Sequence, residues 1–349
     1  MENLKNVCAT KTEIEDNELL EYCICYESCE KNLASQSPGS YVGPKSILMA
    51  GGTNGYETLL SSIEVLSNDE SLANKNIRSL PFGITWDPLL FLNGDDLLFC
   101  GGIDSAYRLN TKCLKYDKDG WKIHSNLNKN RTFASAVSTS NGAYIFGGDF
   151  SKDTYEFLPK NSSKWMLGQS RIQRGFVNGC AVTIPGKPEI FLIGGEKAPR
   201  RILTFNVDGE YFIEEGVSLQ RERISHACAN IPGTNLILIM GGFDERRNTH
   251  KTTEIFDTES KTITLGNPMN VERNSYTGVI TVNNEDRVAL FGGTQYRYGS
   301  TLFDTFLEMV ETLNPKTMKW EVSDMKLAIT RNEFASVTVS NDFISKQAN

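Results

Sequence analysis

A diglycine recurs six times along this 349-residue chain, each time directly after a short apolar run such as ILMA or VALF. The first glycines of the six pairs are Gly51, Gly101, Gly147, Gly194, Gly241 and Gly292. Their separations are 50, 46, 47, 47 and 51 residues, so the spacing is nearly constant. A fixed period of about 20–50 residues is typical of repeat architectures, in which no unit buries its apolar face alone and each packs against its neighbours.

Two kinds of predicted strand flank each diglycine. Downstream stretches such as TTEIFD and KCLKYD alternate with the two-residue period of a strand. Upstream, an arginine opens a strand rich in small residues; these arginines are Arg131, Arg174, Arg223, Arg273 and Arg331, with Arg78 a weaker sixth. Small side chains suit inner strands that crowd an axis, and we assign that place to Ala134, Gly179, Ala227, Gly278 and Ala335. The repeat therefore predicts an all-β fold of six blades around an axis.

Three repeats also carry a tryptophan after the alternating strand, at Trp121, Trp165 and Trp320. With the diglycines and the arginine strands, residues 41–344 resemble the kelch repeat family. The resemblance implies a six-bladed kelch-type β-propeller. We divide the chain into a cysteine-containing tail, residues 1–40, and the propeller, residues 41–345.

The two ends of the propeller each hold part of a repeat. The first repeat begins at a second strand, KSILMAGG, and the chain closes with an unpartnered first strand, RNEFASVTVS. We expect these two strands to share one blade, because a closed ring leaves no exposed edge between terminal blades.

Composition restricts the function and the compartment. A net charge of −7 and a pI near 5.3 argue against a nucleic-acid surface, which needs clustered cations. The longest apolar runs, such as 236–240, are too short for membrane insertion. The N-terminus lacks a basic start followed by an apolar stretch, so we expect a cytoplasmic protein, or a secreted one if the N-terminus is incomplete.

A strand meander places the loop after each diglycine and the segment before each arginine strand on one side of the ring, here named the loop face. The arginines Arg131, Arg174, Arg223, Arg273 and Arg331 are expected at the mouth of the axis on this face. Loop residues outside the repeat pattern join them: Arg200, Arg201, Arg246, Arg247, Arg297, Tyr56, Tyr107, Tyr296 and Tyr298. Guanidinium groups pair with carboxylates and aromatic residues anchor interfaces, so the face is predicted to bind an acidic segment of a protein partner. The alternatives are that the repeated arginines bond to carbonyls of their own blades and that the others are solvated loop charges.

Kelch proteins that act as substrate receptors of ubiquitin ligases hold acidic peptides on this same face. The resemblance implies such a role for Arg131, Arg174, Arg223, Arg273 and Arg331. Those relatives carry a dimerising BTB domain upstream, and 40 residues are too few for one, which argues against ligase recruitment. We therefore expect a non-enzymatic adaptor or scaffold, with a structural kelch protein of the cytoskeleton or of an extracellular assembly as the alternative.

Catalysis is weakly supported by the sequence. Some kelch-like propellers, such as galactose oxidase, bind copper through histidine and tyrosine, and this chain has only His124, His226 and His250. No further ligand motif accompanies them, and no P-loop, HExxH or serine elbow is present. We expect no enzyme activity, no cofactor and no metal, with a metal oxidoreductase as the less favoured reading.

Eight cysteines fall into two groups. The tail holds Cys8, Cys23, Cys25 and Cys29, for which disulfides, reduced thiols and a zinc site all remain open. The propeller holds Cys100, Cys113, Cys180 and Cys228, interpreted as small buried hydrophobic residues, and the first two of these could be neighbours.

Overall fold

The computed structural model describes residues 43–54, 58–73, 75, 77–274, 276–295 and 305–347. Six antiparallel sheets in these ranges form the blades of a β-propeller, which confirms the predicted fold. With strands numbered along the chain, blade I contains β1 (Lys45–Ala50), β2 (Ile63–Leu66) and β27 (Ala335–Ser340); blade II contains β4 (Leu89–Asn93), β5 (Asp96–Cys100), β7 (Lys112–Asp117) and β8 (Gly120–Asn126); and blade III contains β9 (Ser135–Thr139), β10 (Gly142–Phe146), β11 (Tyr155–Pro159) and β12 (Met166–Leu167).

The other three blades repeat this plan. Blade IV contains β13 (Cys180–Thr183), β14 (Glu189–Ile193), β15 (Ile202–Asn206) and β16 (Tyr211–Glu214); blade V contains β17 (Ala227–Asn230), β18 (Leu236–Met240), β19 (Thr253–Asp257) and β20 (Thr262–Gly266); and blade VI contains β21 (Tyr276–Val282), β22 (Glu285–Phe291), β25 (Met309–Asn314) and β26 (Lys319–Lys326). Outside the blades, two short strand pairs and two helices lie at β3 (Ile84–Thr85), β6 (Ile103–Asp104), β23 (Thr294–Gln295), β24 (Thr305–Phe306), α1 (Glu70–Ala73) and α2 (Asn341–Gln347).

Ring closure occurs as the sequence predicted. Strand β27 pairs antiparallel with β1 in a continuous register, from Lys45 opposite Ser340 to Ala50 opposite Ala335. The last strand of the chain is therefore the innermost strand of the first blade. Helix α2 follows directly and buries Ile344 against this blade.

Six apolar clusters fill the spaces between neighbouring blades. Trp165 of blade III packs edge-on against Phe91 of blade II, and its indole donates a hydrogen bond to Ser125 at 3.2 Å. In blade IV Phe212 takes the tryptophan's place and contacts Phe146 of blade III. Each blade thus covers its apolar faces largely with its neighbours, as the repeat period requires.

The diglycine is required where one blade approaches the next. Gly147 has a φ of 63°, and a Cβ added there would lie 1.9 Å from the carbonyl oxygen of Phe176. The amide of Gly148 donates to that same oxygen at 2.8 Å. Only glycine combines the positive φ with such a close contact.

The propeller cysteines form two disulfides, so their interpretation as separate apolar residues was wrong. Cys100 and Cys113 face each other across β5 and β7 of blade II, which confirms that they are neighbours. Cys180 and Cys228 join the innermost strands of blades IV and V. The four tail cysteines lie outside the described residues. In the described part of the chain, neither helix has the length and apolar character needed to cross a membrane.

Candidate functional site on the loop face

Four of the repeated arginines are buried in ion pairs with glutamates. Each is at most 1% exposed, and each partner is the glutamate of the third strand of the same blade. The pairs are Arg131–Glu156, Arg223–Glu254, Arg273–Glu311 and Arg331–Glu64, with nitrogen–oxygen distances of 3.0, 3.0, 2.9 and 3.1 Å. We call them the blade ion pairs.

Arg223 shows what a blade ion pair does. Its guanidinium donates to the carbonyl oxygens of Gly241 and Thr252 at 2.8 and 2.9 Å and to Glu254 at 3.0 Å. The Glu254 carboxylate also accepts from the backbone amides of Gln220 and Arg221, in the segment that links blade IV to blade V. Burial lowers the pKa of the Arg223 guanidinium from its usual value, and the charge of Glu254 opposes that shift. The pair therefore fastens the incoming linker to its blade.

The placement of these arginines corrects the sequence interpretation. Arg131, Arg223, Arg273 and Arg331 were expected at the mouth of the axis, available to a partner. Their guanidinium groups instead donate to carbonyls and a carboxylate of their own blades, which is the alternative that the sequence left open. A partner reaches none of them unless the blade opens.

Blade IV lacks the ion pair and replaces both of its members. The place of the buried arginine is taken by Phe176, whose carbonyl accepts from the amide of Gly148 just as the carbonyl of Arg223 accepts from the amide of Gly195, and Leu203 stands at the position of the glutamate. Arg201, which directly precedes the third strand β15, donates instead to the carbonyl oxygens of Gln173 and Gly175. Arg201 is only 7% exposed, so it too is a structural residue rather than part of the predicted surface.

The other two arginines of the repeat series, Arg174 and Arg78, do not occupy the buried position. Arg174 is exposed, two residues before the buried Phe176. Arg78 lies at the outer side of blade II, where it donates to the carbonyl oxygen of Asp119 at 2.7 Å. The position that corresponds to the buried arginine in blade II is filled by Ile84, whose carbonyl accepts from Gly52.

Exposed cations concentrate on the loop face above blades IV and V. Residues 171–178, 196–201, 220–225 and 244–250 are joined by backbone hydrogen bonds, for example from Glu196 to Val177 and from Ser225 to Asn178. These four segments carry seven exposed cations and four carboxylates. Arg171 is paired with Asp153, and the remaining six form what we call the cation cluster: Arg174, Lys197, Arg200, Arg221, Arg246 and Arg247.

The cation cluster keeps its charges available. Within the described ranges, no carboxylate lies within ion-pair distance of its six side chains. Arg200 donates from Nε to the carbonyl of Leu219 at 2.7 Å, and the Arg247 guanidinium lies 6.0 Å from the centre of the Phe243 ring. Sequence reasoning identified Arg174, Arg200, Arg246 and Arg247, did not single out Lys197 in the same loop as Arg200, and missed Arg221, which the fold places beside them.

Two aromatic side chains project from the same face above blades II and III. Tyr107 and Phe150 are 81% and 69% exposed and lie on equivalent loops of neighbouring blades, with φ of 56° and 67°. The sequence analysis placed Tyr107 on this face but did not single out Phe150. Its position two residues after the diglycine Gly147–Gly148 puts Phe150 in the equivalent loop. The other anticipated residues, Tyr56, Tyr296, Arg297 and Tyr298, lie outside the described residues.

The innermost strands surround a central cavity of about 260 Å³. His226 lines it, is 5% exposed, and has no hydrogen-bond partner for either ring nitrogen among the described residues. Burial, helped by the nearby charge of Arg223, lowers the pKa of His226 to about 3, so its imidazole is neutral at pH 7. His124 lies apart on the outer strand β8, and His250 lies on the loop face. In the ranges that the structure describes, no three metal-ligating side chains come together.

Comparison with known proteins supports the fold. No protein-family model and no curated protein sequence matches this chain. Among solved structures it is similar to the one titled "Structure of YjhT", with a TM-score of 0.60, 13% sequence identity, and coverage of 74% of this chain and 89% of that chain. At that level of identity the similarity concerns the propeller architecture alone.

Proposed function

We propose that this propeller is a non-enzymatic binding module, of the kelch adaptor or scaffold type, that holds an acidic segment of a protein partner on its loop face. The observation that carries the proposal is the cation cluster, in which six exposed cations lie together without an ion-pair partner in the described structure. A chain with a net charge of −7 that gathers unpaired cations on one surface is suited to a carboxylate-rich ligand.

Tyr107 and Phe150 extend this proposed surface. Aromatic side chains bury a large area on association, whereas a fully exposed one contributes little to the free protein. A partner segment that crosses the loop face would meet aromatic anchors above blades II and III and guanidinium groups above blades IV and V. Acidic residues interspersed with apolar ones match that arrangement.

The blade ion pairs take no part in the proposed binding. They hold the linkers that carry the cation cluster, since Glu254 accepts from the amide of Arg221 itself. The proposed site therefore depends on the buried arginines for its shape and on the exposed ones for contact.

The two disulfides favour an oxidising compartment over the cytoplasmic location that the sequence suggested. We propose that the protein acts in such a compartment, where a partner would belong to an extracellular or secretory assembly rather than to a ubiquitin ligase or the cytoskeleton. Mass spectrometry of the intact, unreduced protein before and after alkylation tests this proposal. Alkylation of Cys180 and Cys228 without prior reduction would show that they are free thiols and would contradict it.

Peptide binding tests the proposed surface. The probe is a fluorescein-labelled synthetic peptide in which glutamate and tyrosine alternate, and the control peptide has glutamine in place of glutamate. We expect the glutamate peptide to bind, with an affinity that falls as salt is raised, because exposed charges are screened. The glutamine peptide should bind at least about tenfold more weakly.

Two matched variants locate the binding. The loop-face variant carries Arg174→Gln, Arg200→Gln, Arg246→Gln and Arg247→Gln. The opposite-face variant has the same change in charge through Lys118→Gln, Lys160→Gln, Lys164→Gln and Lys319→Gln, all exposed in or next to the turns at the other end of the blades. Binding is measured as the rise in fluorescence anisotropy of the labelled glutamate peptide. If only the loop-face variant fails to bind the peptide, the proposal is supported, and equal binding by both variants overturns it.

A further inference from the structure

The first part of the chain contains a segment with the chemistry that the proposed site would recognise. Residues 13–30, EIEDNELLEYCICYESCE, carry seven carboxylate side chains and no lysine, arginine or histidine. Apolar and aromatic residues are interspersed among them, namely Leu19, Leu20, Tyr22 and Tyr26. We name residues 13–30 the acidic segment.

We propose that the acidic segment binds the cation cluster of its own chain and thereby competes with external partners. This inference rests on the proposed function, because it uses the same six cations as the binding surface. It adds a regulatory state in which the protein occupies its own site.

The chain enters the propeller where an acidic ligand would not be held. Strand β1 begins on the face opposite the loop face, next to an open pocket of about 700 Å³ lined by Gly43, Pro44 and Lys45. Lys45 is paired there with Asp286, and Lys316 is paired with Glu285 at 2.8 Å. Because the cations of this pocket already have carboxylate partners, it offers no net attraction to further carboxylates.

The cation cluster, unlike the pocket at the entry point, has cations without carboxylate partners in the described ranges. Its six cations share the four loop segments with four carboxylates, which leaves an excess of two positive charges. Charge complementarity therefore favours the loop face over the point of entry for the acidic segment.

The connecting chain is long enough to reach the cluster. From Glu21 to Gly43 there are 22 residues, which can span up to roughly 75 Å when extended. A six-residue strand such as β1 is about 20 Å long, and a four-stranded blade is about 15 Å wide. A path from the entry point around the outer edge of the ring to the cluster lies within that reach.

Tethering makes even a weak contact effective. A tethered segment meets a site on its own chain at an effective concentration in the millimolar range. An intrinsic dissociation constant of about 0.1 mM would then reduce the apparent affinity for an external ligand about tenfold.

Neutralising the acidic segment tests the competition in the full chain. The tail variant carries Glu13→Gln, Glu15→Gln, Asp16→Asn, Glu18→Gln and Glu21→Gln. We expect it to bind the glutamate–tyrosine probe about tenfold more tightly than the wild-type chain, and about 0.5 M salt should abolish the difference. Equal probe affinity in the two chains, with binding still lost in the loop-face variant, would overturn the competition and leave the proposed function intact.

Photo-crosslinking gives a second readout that does not depend on the probe. A full chain with Leu20→p-benzoylphenylalanine is irradiated as a monomer at low concentration, and the crosslinked peptides are identified by mass spectrometry. Crosslinks to residues 171–178, 196–201, 220–225 or 244–250 that disappear in the loop-face variant support the inference. Crosslinks confined to other surfaces, or unchanged in the loop-face variant, refute it.

Discussion

Breaking one blade ion pair from either side should destabilise the propeller strongly. In Arg223→Met the Glu254 carboxylate, which is fully buried, loses the charge that it is paired with and keeps two backbone amides. In Glu254→Leu the buried guanidinium keeps its carbonyl acceptors but loses its counter-charge. Removing one member of a buried pair leaves an uncompensated charge, and we expect each change to lower the free energy of unfolding by about 3–5 kcal/mol.

The double variant Arg223→Met, Glu254→Leu should cost much less than the sum of the single variants. Neither charge remains buried, and blade IV already tolerates an apolar pair at these positions in Phe176 and Leu203. Groups in direct contact show coupling energies of about 0.5–3 kcal/mol, and we expect a value near the upper end.

Urea unfolding followed by tryptophan fluorescence measures these effects, with refolding from urea as the check of reversibility. Arg246→Met serves as the control, because this exposed arginine has no ion-pair partner in the described structure and should change the free energy by no more than about 0.5 kcal/mol. The reasoning is refuted if Arg223→Met is as mild as the control, or if the two single effects simply add.

Three other outcomes follow from the structure. Deletion after Thr330 removes β27 and exposes the edge of β1, so the truncated chain should aggregate or lose its cooperative melting, and melting at the parent temperature would contradict ring closure. Replacing both Cys180 and Cys228 by serine should lower the free energy of unfolding by up to about 4 kcal/mol, because this disulfide closes a loop of 48 residues. The same change at Cys100 and Cys113, which close a loop of 13 residues, should lower it by about 3 kcal/mol. Calorimetry that ranks the two pairs in reverse would contradict this. The pKa of His226 is about 3 in the folded state and about 6.5 in the unfolded chain, so the unfolded chain binds more protons between these pH values. The free energy of unfolding should therefore fall by about 2 kcal/mol from this group as the pH decreases from 7 to 5. Urea unfolding at both pH values should show a smaller fall in His226→Gln than in the control His124→Gln.

The architecture was predictable because its determinants are local and repeated. A diglycine with positive φ and no room for a Cβ is required at each contact between blades, so its spacing gives the number of blades. The incomplete first and last repeats likewise predicted that β1 and β27 share a blade.

The buried state of the arginines was not predicted, since a single repeated residue type does not reveal its partner. The signal was nevertheless present. A glutamate stands at one fixed position in four alternating strands, as Glu64, Glu156, Glu254 and Glu311, and is replaced by Leu114 and Leu203 in the two blades, II and IV, that lack the buried arginine. Two positions that change together within one chain indicate a contact.

The disulfide between blades left a similar trace. Cys180 and Cys228 are 48 residues apart, which is one repeat, so they occupy equivalent places on neighbouring innermost strands. The exposed cluster, by contrast, could be predicted only in part. Lys197 and Arg221 belong to segments distant in sequence that only the ring brings together with Arg174 and Arg246.

Arginine footprinting tests most directly whether the exposed arginines, and not the repeated buried ones, form the binding surface. Phenylglyoxal modification of the native protein, mapped by mass spectrometry, should label Arg174, Arg200, Arg221, Arg246 and Arg247, and the glutamate–tyrosine probe should protect them. Arg131, Arg223, Arg273 and Arg331 should remain unmodified with or without the probe. Modification of the four buried arginines in the folded protein, or probe protection at none of the exposed five, would contradict the account.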